Sequence, residues 1–161
     1  KLALMAMFTA ASLIVFVIEA QIPAPIPVPG VKLGLANVVT LIAMVMLGRR
    51  EAGLILLVRI AMGSMFTGGV SAFIFSIAGG ALAYAVMCLT LKLFPEKLLW
   101  VVSVLGAIAH NLGQLIAAII ITKTSSLMLY APVLLASAVV TGAFTGLAAM
   151  YLTQRLDKRV G

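Results

Sequence analysis

Charge is missing from this chain wherever a water-soluble fold would need it. Six apolar runs, at 2–18, 31–47, 52–66, 71–91, 98–121 and 132–153, take up most of the length, and charged residues make up 9% of it. A soluble domain covers its core with charged residues at about a quarter of its positions, so this pattern makes the bilayer the solvent. Runs near the spanning length of about twenty residues imply transmembrane helices. The sequence therefore predicts an all-α integral membrane protein, a single domain over 1–161 with six transmembrane helices. The runs at 31–47 and 52–66 are short for a perpendicular span, so they are expected to borrow flanking residues or to lie partly against protein. Lys1 and the run after it read as a first span and not as a removed leader, because Glu19, Gln21 and Pro23 follow where a small-residue cleavage site would stand.

The net charge of +7 orients the chain in the membrane. With a cytoplasmic N-terminus, that side receives Lys1, Arg49, Arg50, Lys92, Lys97, Arg155, Lys158 and Arg159, the other side receives Lys32 and Lys123, and Arg59 falls inside the third run. Such a bias places both termini in the cytoplasm. Basic residues scattered over short connections form no nucleic-acid-binding patch. The single Cys88 makes no internal disulfide, and one His with one Cys gives no metal site.

Between the first two runs, the stretch from Gln21 to Gly30 places prolines at alternate positions, 23, 25, 27 and 29. Proline removes amide donors and holds the backbone extended, so this segment is expected to form a stiff lid over the outer face. An ionisable or strongly polar side chain inside a span is costly unless it is paired or faces water, which makes each one a candidate site. Arg59 is such a residue, and Glu19, at the outer end of the first helix, is its candidate ion-pair partner. On the fifth helix, His110, Asn111 and Gln114 are spaced to present an imidazole and two amides. Lys32, Asn37 and Ser76 complete the expected ligand-binding set, which lies at the midplane or in the outer half under this topology. An outward-opening pocket for a small anionic or strongly hydrogen-bonding ligand follows. Near the cytoplasmic end of the first helix, Ala3, Ala6 and Ala10 form a small-residue strip on which another helix could dock closely.

The stretches Pro29-Gly-Val-Lys-Leu-Gly-Leu-Ala-Asn37, Ser76-Ile-Ala-Gly-Gly80 and Gly106-Ala-Ile-Ala-His-Asn-Leu-Gly-Gln114 resemble the Gx transporter family, also labelled heptaprenyl diphosphate synthase component I. That family is similar in size, helix number and topology to the substrate-binding S components of energy-coupling factor (ECF) vitamin importers. The resemblance implies an S-component-like bundle in the bacterial cytoplasmic membrane, with substrate held near the outer face under the first connection. It also implies that Ala6 and Ala10, with Ala3 one turn before, dock on an ECF transmembrane coupling subunit. ATP would then be used by partner ATPases, and the chain itself, which has no Gly-rich Lys-Ser/Thr phosphate loop, would carry no cofactor. Two other functions stay open: a non-catalytic membrane component of heptaprenyl diphosphate synthesis, and a proton-coupled transporter using His110 and Glu19. Catalysis of prenyl transfer is not expected. It needs clustered carboxylates to hold magnesium, and the acids here, Glu19, Glu51, Glu96 and Asp157, are isolated along the chain.

Overall fold

The computed structural model describes residues 1–22, 32–67 and 69–160, with the side chains of 67 and 156–160 left aside. Six α-helices account for most of them: α1 (Leu2–Glu19), α2 (Asn37–Met46), α3 (Arg49–Thr67), α4 (Gly69–Thr90), α5 (Leu99–Thr122) and α6 (Ala131–Val160). Short 3-10 turns at Glu96–Leu98 and Ser125–Tyr130 lead into α5 and α6, and no strand occurs among the described residues. The helical reading of the sequence holds.

The distribution of side chains is that of a protein solvated by lipid. Phe144 is 73% exposed while Arg59 is 2% exposed, the reverse of what water would enforce. Four segments are long and apolar enough to cross a membrane: Leu2–Glu19, Gly69–Thr90, Glu96–Thr122 and Ser125–Arg155. The other two expected spans have a different character. The run expected at 31–47 becomes helical only at Asn37 and gives a ten-residue helix, which at 1.5 Å per residue is about 15 Å long, half of a hydrocarbon core about 30 Å thick. Residues 32–36 before it are irregular, with Gly34 at φ +83°, a left-handed backbone that suits glycine. Irregular backbone is tolerated at membrane depth where it is buried in protein or lines a cavity, and most of α2 is indeed buried. Helix α3 carries Arg49, Arg50, Glu51 and Arg59, too many charges for an ordinary lipid-facing span.

Close packing comes from small residues, as expected where lipid tails are as apolar as any side chain. Helix α5 packs against both α4 and α6. A Cβ on Gly113 would lie 2.6 Å from the Ala78 carbonyl oxygen, and Cβ atoms on Gly142 and Gly146 would lie 2.6 Å and 2.5 Å from the Cα atoms of Val104 and Trp100. These three glycines let α4, α5 and α6 meet backbone to backbone. Ser103 and Thr145 add a 3.0 Å hydroxyl pair across α5 and α6. One apolar core joins Leu41, Ile42 and Met44 of α2 to Ile55, Met87, Leu99 and Val102, and a second surrounds Phe75, Leu115 and Leu134.

Candidate functional site

Helix α1 buries Ser12, Phe16 and Glu19, positions spaced by four and three that fall on one stripe. At the end of that stripe, the carboxylate of Glu19 accepts hydrogen bonds from the backbone N–H groups of Gly34 and Ala36, the latter at 3.3 Å. The N–H of Lys32 donates to Gln114 Oε1 of α5 at 3.0 Å. Segment 32–36 is thus tied to α1 by one buried carboxylate and to α5 by one buried amide, which accounts for its departure from the helix. The amides of Lys32, Gly34 and Ala36 are satisfied by side chains.

Beneath this segment lies an enclosed cavity of about 10 Å³, lined by Phe16, Glu19, Lys32, Gly34, Arg59, Ser76, His110 and Gln114. Space of that size is about what one water molecule requires. The residues reach it from four helices and one connection far apart in sequence. Arg59 enters from α3 and donates through Nη2 to Asn37 Oδ1 at 3.3 Å. Phe16 seats both cations: Lys32 Nζ is 3.2 Å from its ring centroid, and the Arg59 guanidinium carbon is 5.8 Å away. Cation–π attraction offsets part of the cost of holding two like charges together in a dry site. The ring fits because position 63 is glycine; a Cβ there would come within 2.5 Å of it. His110 is held just as tightly. Cβ atoms on Gly34 and Gly79 would lie 2.7 Å and 2.9 Å from its ring.

Six of the seven ligand-binding residues expected from the sequence gather here: Lys32, Arg59, Ser76, His110 and Gln114 line the cavity, and Asn37 holds Arg59. The seventh, Asn111, turns away. Its Nδ2 donates to the Leu134 carbonyl of α6 at 2.9 Å, as a neighbour offset by about 100° around the helix must do when His110 faces the cavity. Glu19 and Arg59 both line the cavity, but no ion pair joins them among the described residues: Glu19 accepts the Gly34 and Ala36 amides and Arg59 donates to Asn37. Ala3, Ala6 and Ala10 are exposed on the far face of α1. Of the expected lid, Gln21 and Ile22 are described, and the prolines lie outside the described residues.

Phe16, Gly34 and Gly79 were not expected in the site. Phe16 had a signal in its position three residues before Glu19, on the same stripe as Ser12; the two glycines had none beyond their residue type.

The chemistry of the cavity is that of a donor site. Asn37 Nδ2, Arg59 Nε, Ser76 Oγ, both His110 ring nitrogens and Gln114 Nε2 are buried without a hydrogen-bond partner among the described residues. The amide nitrogens and the guanidinium can only donate. Glu19 and Gln114 Oε1 already receive backbone amides, while the Ser76 hydroxyl and the His110 ring can either donate or accept. Two cations face one carboxylate around the space. Unpaired buried donors are costly, so a group bringing acceptors and negative charge is what this arrangement favours.

Bundle and site together define an all-helical membrane protein with an internal polar cavity. The chain belongs to the family described as heptaprenyl diphosphate synthase component I, whose model matches residues 8–152. No curated protein and no solved structure matches the chain.

Proposed function

We propose that this chain is a non-catalytic, substrate-binding membrane subunit, similar to an S component, serving an importer of the ECF type. In this reading it takes a small anionic ligand, vitamin-like or precursor-like, from outside a bacterial cytoplasmic membrane and holds it at the Arg59 cavity. The observation that carries the reading is the convergence of unpartnered polar groups from Arg59, Ser76, His110 and Gln114 on one buried space. Segment 32–36 is the natural moving part. A ligand larger than water enters when the bonds from the Lys32, Gly34 and Ala36 amides to Gln114 and Glu19 give way.

Docking and capture use different surfaces of α1 in this proposal. The exposed Ala3, Ala6 and Ala10 meet the coupling subunit, while Phe16 and Glu19 serve the cavity. Replacing Ala6 or Ala10 by Trp is expected to abolish copurification with a coupling subunit and leave ligand retention intact; Arg59→Gln is expected to do the reverse. Loss of both properties in both variants would refute separate surfaces.

The family description favours a second reading, a non-catalytic membrane component associated with heptaprenyl diphosphate synthesis. The two readings divide on the molecule recovered from the cavity. An isoprenoid diphosphate supports the second and a water-soluble vitamin-like anion the first. Prenyl transfer by the purified chain without a partner would overturn both.

A further inference from the structure

A second space lies on the outer surface between α3 and α4, lined by Arg50, Leu54, Leu57, Ile60, Ile77 and Tyr84 among others, with a volume of about 500 Å³. Its walls are hydrocarbon, and Leu57 is 55% exposed along it. The Tyr84 hydroxyl does not face the groove as a free polar group, because it donates to the Arg49 carbonyl at 2.7 Å. Gly53 keeps the floor low there, since a Cβ would sit 3.1 Å from the Tyr84 hydroxyl. Charge enters at one end only. Arg50 is exposed and makes no side-chain hydrogen bond or ion pair among the described residues, while the adjacent acid, Glu51, is engaged by Lys1.

From Arg50 to Ile60 the groove follows α3 for ten residues, about 15 Å at the rise of an α-helix, which equals one leaflet of a hydrocarbon core about 30 Å thick. It therefore begins at a cation at headgroup depth and ends near the midplane. We infer that this groove is a binding site for an anionic bilayer phospholipid, with one acyl chain along Leu54, Leu57 and Ile77 and the phosphate at Arg50. Length, polarity and the position of the charge select this occupant. A protein helix would leave Arg50 facing apolar side chains, and a zwitterionic lipid would bring its own cation to the same place. The site is independent of the Arg59 cavity, which lies on the other side of α3.

The test is native mass spectrometry of the whole chain released from nanodiscs of equimolar phosphatidylglycerol and phosphatidylcholine. Wild type is expected to retain phosphatidylglycerol in about fivefold preference, the gain typical of one basic side chain near an anionic headgroup. Arg50→Gln brings the ratio to about one, Arg50→Lys keeps it, and Leu57→Trp, which fills the groove, lowers retention of both lipids. Equal retention of the two lipids by wild type overturns the inference without need of any variant. A preference that survives in Arg50→Gln, or retention unchanged in Leu57→Trp, overturns it as well.

Discussion

Arg59 and Leu57 are two residues apart on α3, about 200° around the helix, and they face opposite kinds of space. On the Arg59 side is about 10 Å³ enclosed by charged and amide groups; on the Leu57 side is about 500 Å³ of open hydrocarbon groove. Volume alone would choose the groove as the site of function. Chemistry chooses the cavity, because Arg59 Nε, Ser76 Oγ, both His110 ring nitrogens and Gln114 Nε2 gather around it without partners among the described residues. Inside a membrane an empty apolar groove costs little, since lipid fills it, whereas an unpaired guanidinium nitrogen is held there against its desolvation. What is expensive to maintain points to function more surely than what is large.

The comparison can be broken at Arg59. Arg59→Met is expected to abolish retention of ligand by the cavity and to leave the protein folded, since it removes a buried guanidinium that has an unpartnered nitrogen and shares the Phe16 ring with Lys32. Thermal unfolding in detergent checks the second outcome. Lipid retention at the groove should be unaffected, and a parallel loss would show the two spaces to be one system.

Gly113→Ala probes the helix contact behind the cavity. Its Cβ meets a backbone carbonyl and not a movable side chain, so α4 and α5 must separate at a cost of about 2 kcal/mol. Unfolding midpoints should fall accordingly, and Ser76 should move away from His110. A midpoint equal to wild type would mean that the backbones are not in contact there.

Asn111→Leu sharpens the distinction between adjacent polar residues on α5. It loses the bond to the Leu134 carbonyl, worth about 1 kcal/mol within a membrane, with ligand retention unchanged. Weakened retention would place Asn111 in the site after all.

The smallest effect is at the basic end. The Lys1 ammonium holds the Glu51 carboxyl below its ordinary value of 4.5. A carboxylate depressed in the folded state stabilises fully above its unfolded value and loses that contribution as pH falls through the folded one. Stability of wild type, followed from pH 7 to pH 3, should therefore contain a small step that begins below about pH 4.5 and is absent in Glu51→Gln.

Much of this was legible in the sequence. Hydropathy revealed the bilayer and the helical class, and the expense of burying Arg59, His110 and Gln114 showed which side chains would seek one another inside it. The start of α2 was not legible. Leu33, Leu35 and Ala36 are as apolar as a helix would be, and the acceptance of the Gly34 and Ala36 amides by Glu19, with that of Lys32 by Gln114, diverts the segment from helical pairing. The bonds to Glu19 join residues fifteen and seventeen positions apart, beyond the reach of any local periodicity. The direction in which Asn111 faces was not legible for a related reason. Spacing places it beside His110, but which of the two faces the cavity depends on where α6 docks. Phe16 passed as one more apolar residue because its role arises from two cations brought to it by other elements.

Capture by this chain requires that Arg59 and the donors around it hold an anion. Its most direct measurement is native mass spectrometry of gently purified wild type beside Arg59→Gln, with any released small molecule identified. A bound anion on wild type that is absent from a folded Arg59→Gln variant is the predicted result. Equal occupancy of the two proteins by the same molecule, or a bound cation in place of an anion, would contradict it.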